Sequence, residues 1–144
     1  MSDYTAKIFS PNPPDETATR IDNGLELWWS TRVDRNPNGF TIRFNRSHAT
    51  FVYEPDSTAE GFVWTCTDAN MIIDGVKDSG EWKGTRLIWG LQTNGGGTDV
   101  TLTHAGLNSK IECFEVCVRG WQHYFENSLH AYLNGQPASP ETGQ

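Results

Sequence analysis

The residues able to do chemistry in this chain are few. His104 closes an apolar alternation with Val100 and Leu102, so its imidazole can stand at the end of a buried face and orient a ligand or move a proton. Acid–base work needs a partner within hydrogen-bond reach, and Asp68, at the end of another alternating run, is the carboxylate that the pattern puts on the same face. Cys113 and Cys117 stand four apart on a helical pattern and could join Cys66 or His104 around zinc. Structural zinc sites usually draw closely spaced ligand pairs from turns, and a second pair is missing, so the reading is three free thiols, no metal and no cofactor. The aromatic side chains are more telling. Trp28, Phe51, Trp64, Trp89 and Trp121 fall on apolar faces, and together with Cys66, Leu102, His104 and Cys117 they could wall a cavity for a small apolar guest. No G-x-S-x-G elbow, H-E-x-x-H or paired-cysteine word occurs, which favours a binder over an enzyme.

The elements that must position these groups are written in periodicity. Residues 4–8 alternate as a first strand, and Pro14, Asp15 and Glu16 open a short helix that Asn23-Gly24 closes. Leu25 to Trp29 forms a second apolar helical turn, followed by a polar stretch from Ser30 to Asn38. Period two then returns in 40–44, 49–53, 62–67, 81–92 and 98–104, with Asn45-Arg46-Ser47 and Asn94 to Gly97 as hairpin links and Asp68-Ala69-Asn70 as a breaker. Met71-Ile72-Ile73 reads as either strand or loop. Trp82, outside the alternating part of its strand, reads as a packing anchor at the end of the sheet.

Beyond Gly106 the pattern turns helical. Ser109-Lys110-Ile111-Glu112 is a capping box, Ile111, Phe114, Val118, Trp121, Phe125 and Leu129 mark the buried face, and Asn134-Gly135 with Pro137 is a stop signal. That predicts a helix of roughly 26 residues, about 39 Å long, around which an antiparallel sheet must curl. Gly120 inside it should cost about 1 kcal/mol relative to Ala, which points to close approach of a strand or to space kept for a ligand. The fold class is α+β, with a domain over 1–135 and a loose tail over 136–144.

Composition bounds the function classes. The chain has 144 residues, 36% apolar and 20% charged, enough for one self-sufficient core. A net charge of −7 disfavours nucleic acid and anionic lipid surfaces. No signal-like or membrane-spanning apolar run is present, and with three unpaired cysteines the expected address is the cytoplasm.

Leu27-Trp28-Trp29, Glu81-Trp82-Lys83-Gly84-Thr85, the run Gly97 to Leu107, and Gly120-Trp121 with Ser128-Leu129 and Tyr132-Leu133 in the last helix together resemble the activator of heat-shock-protein ATPase homologue family of the START / Bet v 1-like (SRPBCC) superfamily. The resemblance runs over nearly the whole chain. It implies the helix-grip fold and an apolar cavity between sheet and C-terminal helix, in relatives that range from carriers of lipids or metabolites to occasional enzymes. The leading expectation is a non-catalytic carrier of a small apolar molecule or lipid. The alternatives are an enzyme using His104 and a protein-interaction or co-chaperone module, to which Trp29 is the one pointer; a homodimer is compatible with each.

Overall fold

A single buried face turns the alternating runs into a sheet. A computed structural model describes residues 3–44, 46–55 and 60–142. The strands are β1 (Tyr4–Ser10), β2 (Val33–Asn36), β3 (Gly39–Phe44), β4 (Ser47–Tyr53), β5 (Gly61–Asn70), β6 (Arg86–Asn94) and β7 (Gly97–Ala105). They form one antiparallel sheet in the order β1-β7-β6-β5-β4-β3-β2. Helices α1 (Pro14–Asn23) and α2 (Leu25–Trp28) follow β1, and a C-terminal helix runs from Phe114 to Leu133 across the concave face. This is the expected helix-grip arrangement, a curved sheet holding a long helix.

Three departures from the periodicity have local causes. β2 lies in the stretch read as polar loop; it is an edge strand with little burial, held by its ladder to β3 and by Arg43–Asp34 and Arg35–Glu26 ion pairs at 2.8 and 2.6 Å. β5 does not stop at Asp68 but continues to Asn70 through a bulge, since Thr50 pairs with Asp68 while Phe51 pairs with Cys66. The extra residue, Thr67, shifts the alternation, so Cys66 and Ala69 point inward and Asp68 points out. β6 begins at Arg86 rather than Glu81, and Met71 to Ile73 belong to no strand. Of the expected hairpin link between β3 and β4, Asn45 lies outside the described residues, as do Gly143 and Gln144 of the tail.

The C-terminal helix is twenty residues long, shorter than expected, and changes character on the way: α3 (Phe114–Trp121), a π-helical segment (Gln122–Leu129) and a final turn, α4 (His130–Leu133). Its buried line is Cys113, Cys117, Trp121, Phe125, Leu129 and Leu133, a strict spacing of four. In a pure α-helix, a residue every four positions drifts about 40° around the axis per step. The π segment, with i→i+5 bonds, turns more slowly per residue and offsets that drift, so one line stays on the sheet. Ile111, Phe114 and Val118, expected on that line, are only half-buried beside it.

The helix start is capped from outside. Glu112 does not close the expected box; its carboxylate accepts the Lys77 and Asp78 backbone N–H groups, at 2.9 and 3.3 Å. Glu81 in turn accepts the N–H groups of Glu112 and Cys113, at 3.0 and 3.3 Å. Two carboxylates thus tie the β5–β6 loop to the helix entry. Glu81→Ala is expected to cost about 1 kcal/mol, read as a thermal midpoint lower by roughly 3 °C. A midpoint unchanged within 1 °C would show this cap to be idle.

Part of the tail expected to be loose is hydrogen-bonded, as far as Glu141. Ser128 Oγ donates to the Trp28 carbonyl at 2.7 Å and accepts the Ser139 N–H at 2.9 Å. Glu141 makes backbone bonds to Trp29 and Thr31, in a parallel bridge with Ser30.

Candidate functional site

Ring packing decides where space is left. Between the sheet and the middle of the helix, Phe40 and Trp64 lie 5.1 Å apart, Trp64 and Trp89 5.2 Å, Phe40 and Phe51 5.5 Å, and Trp89 and Phe125 5.8 Å. Trp28 meets Trp89 edge-on at 6.1 Å, and its N–H donates to the Ile21 carbonyl at 2.9 Å. Edge and offset contacts of this kind fill volume well. Trp28, Phe51, Trp64, Cys66, Trp89 and Leu102, expected to wall a cavity, are buried and do not line the volume between α3 and the Met71–Ile73 segment. Burial pushes the Cys66 thiol up to about 12, which leaves it inert.

An open volume lies toward the other end of the helix. A cavity of about 210 Å³ sits between α3, the Met71–Ile73 segment, Trp29 and the tail. Trp82, Trp121, Trp29, Phe44 and Tyr124 form an unbroken arc of rings along it, with successive centroids 6.0, 5.1, 5.6 and 6.1 Å apart. Met71, Val116, Cys117 and Gly120 add apolar wall, Ser47 and Glu141 the polar groups, and half-exposed Ile72 and Val116 mark its rim. Of the residues expected in a site, the structure brings Cys117 and Trp121 here. Trp82 is a wall rather than an anchor at the sheet's end. The sequence signal that could have found it is the helix-entry word Glu81-Trp82, because the carboxylate that caps α3 places the next side chain against that helix.

Gly120 borders this cavity. A Cβ built there meets nothing within 4 Å, so close approach of a strand is not the reason for the glycine. Its missing side chain leaves volume in the wall.

His104 is sealed behind the arc. Trp121 Nε1 donates to its Nδ1 at 3.0 Å, which leaves the proton on Nε2, and Nε2 donates to Thr85 Oγ1 at 2.9 Å. Thr85 Oγ1 donates its own hydrogen bond to the Trp82 carbonyl, 2.6 Å away, and the Trp82 ring stands edge-on to the imidazole at 4.7 Å. Burial pushes the imidazole down to about 3, only weakly opposed by the charge of Asp3. Both nitrogens are spent, no solvent reaches them and His104 does not line the cavity. The expected Asp68 partner is on the far face, where its carboxylate meets His48 at 3.2 Å. These two residues cannot form an acid–base pair. The imidazole instead joins β7, the Glu81–Thr85 turn and the helix into one unit.

The thiols are likewise structural. Trp82 Nε1 donates to Cys117 Sγ at 3.3 Å, while the hydrogen bond between the two helix thiols lowers Cys113 and raises Cys117. Among the described residues no three His, Cys, Asp or Glu gather as metal ligands. Trp29, expected as an exposed interaction residue, is buried against Trp28 at 5.3 Å, and the exposed side chain of that turn is Leu27. Among the described residues no helix is long and apolar enough to cross a membrane.

Comparison with known proteins agrees with the architecture. The solution structure of the Aha1 dimer from Colwellia psychrerythraea superposes with a TM-score of 0.71 at 20% identity, covering 92% of this chain and 96% of that one. A protein of Staphylococcus saprophyticus gives 0.66 at 14% identity over 99% of both chains, and one of Mesorhizobium loti gives 0.67 at 13% identity over 92% and 97%. At these identities the likeness is one of fold. No curated protein matches in sequence. The family described as activator of Hsp90 ATPase homolog 1-like protein matches residues 25–134, from α2 through the end of the C-terminal helix, and the chain belongs to that family.

Proposed function

We propose that the protein is a non-catalytic cytoplasmic binding protein for a small, largely apolar molecule, held in the cavity between α3, Trp29 and the Met71–Ile73 segment. The observation that carries this is the arc of five rings around 210 Å³ of unfilled volume. Apolar cavities of about 150 Å³ admit benzene, so this one has room for a guest somewhat larger than a single ring. Of the residues expected from sequence, the proposal keeps Cys117 and Trp121 and adds Trp29, Phe44, Trp82 and Tyr124. The sealed imidazole argues against acid–base catalysis through His104, and the burial of Trp29 removes the pointer to an interaction surface. The proposal includes pairing of two copies, the state described for the Colwellia relative, through the open edges of β1 or β2; sedimentation as a monomer at 100 μM would remove that part.

Three of the five rings are indoles, so guest entry should change intrinsic fluorescence. Titration with indole, naphthalene, short-chain alcohols and a C6–C10 fatty acid series is expected to give a saturable response from at least one single-ring or two-ring member. Flat titrations throughout, from protein with a native melting curve, would sink the reading.

A further inference from the structure

The composition of the cavity wall is more specific than apolarity requires. Five aromatic rings line it, one carboxylate, Glu141, lines it, and no Lys, Arg or His does so among the described residues. Ring faces carry the negative part of the aromatic quadrupole, so rings converging on one volume make it attractive to a cation that has shed water. Glu141 adds to that field rather than opposing it. Its side chain is only 10% exposed, and its Oε2 meets Arg32 Nη2 at 3.4 Å. Arg32 is 38% exposed and does not line the cavity. The field reaches the wall: Tyr124 is raised first by burial and then by the charge of Glu141. The backbone that carries this carboxylate is held in place, because both backbone polar groups of Glu141 are bonded to the Trp29–Thr31 turn.

Resting on the binding reading above, we infer that the guest is a small organic cation, a quaternary or protonated tertiary ammonium whose charge is spread over an apolar shell. An alkylammonium suits both halves of the wall, with methyl groups against rings and positive charge toward Glu141. A carboxylate or phosphate would face repulsion from Glu141, with no cationic side chain among the described residues of the wall to receive it. The volume of about 210 Å³ accommodates a head group of choline size.

Choline and its neutral isostere 3,3-dimethylbutan-1-ol separate charge from shape. Fluorescence or calorimetric titration of the full chain is expected to show choline binding roughly 5- to 30-fold tighter than the alcohol. Glu141→Gln is expected to lower choline affinity several-fold and leave the alcohol unchanged, while Arg32→Gln raises or preserves choline affinity. Equal or tighter binding of the alcohol would overturn the cation inference and leave the apolar-guest reading standing. Binding of neither probe, nor of any neutral guest, would remove both. Choline bound equally by wild type and Glu141→Gln, with a guest-insensitive Trp121 signal, would place it elsewhere on the acidic surface and also overturn the inference.

Discussion

Acidification from pH 7 to pH 4 is expected to remove about 3 kcal/mol of folding stability through His104 alone. The fold holds this imidazole neutral, with a pKa near 3 against 6.5 for the unfolded chain. Between those values the unfolded state binds a proton that the folded state refuses, so stability rises with pH. The contribution is complete above about pH 6.5, falls as the pH drops below it, and is lost by the time pH 3 is passed. The geometry explains the refusal: a proton on Nδ1 would face the Trp121 N–H, donor against donor, in a fully buried site. His104→Gln keeps an acceptor and a donor at the site and cannot titrate. It is expected to be about 1–3 kcal/mol less stable than wild type at pH 7 and to lose less on acidification, so the two urea-derived stability curves converge near pH 5. Parallel curves from pH 7 to pH 4 would mean that the acid sensitivity belongs to carboxylates, such as Glu26, whose pairing with Arg35 lowers its pKa.

How far the sequence could be read follows from which interactions are local. β3, β4, β6 and β7 were legible because each buries one face, and Phe40, Ile42, Phe51, Leu87, Trp89, Val100 and Leu102 all face inward as the alternation requires. The bulge at Thr67 was not, because a single extra residue leaves no compositional mark, and with it went the orientation of Asp68. β2 was hidden because its stabilisation comes from neighbours' charges rather than from its own apolar residues. The helix offered two apolar lines one residue apart, Phe114–Val118 and Cys113–Cys117–Trp121. Only the π segment, whose bonding no pattern announces, decides for the second.

An aromatic-rich interior was legible in the sequence; which rings border the open volume was not. That aromatic side chains outnumber what an ordinary core uses was plain, but which of them interlock depends on ring angles set by tertiary packing. Trp29 illustrates this. Just past a four-residue helix, at the edge of a polar stretch, it looks peripheral, yet Trp121, Phe44 and Phe51 enclose it from three elements distant in sequence. The word Glu81-Trp82-Lys83-Gly84-Thr85 carried the family resemblance, and its reasons are now separable. Glu81 caps the helix, Trp82 walls the cavity, Gly84 takes a φ of 89° in the turn, and Thr85 fixes the His104 tautomer.

Adding carbon at Gly120 should move stability and binding in opposite directions. A glycine inside a helix is less favourable than alanine by roughly 1 kcal/mol, and a Cβ here meets no atom within 4 Å, so Gly120→Ala is expected to stabilise the protein by about 0.5–1 kcal/mol. The same carbon enters the cavity wall, and guest affinity should fall two- to five-fold. Gly120→Leu projects a branched side chain into the 210 Å³ volume, which should leave stability within about 1 kcal/mol of wild type and weaken guest binding at least ten-fold. A sequence selected for stability alone would carry alanine here. Guest titration and urea unfolding on the same three proteins decide the matter. Should Gly120→Leu bind as wild type does, the guest lies outside this cavity; should Gly120→Ala destabilise, the helix needs glycine for itself and the volume beside it has no bearing on the choice.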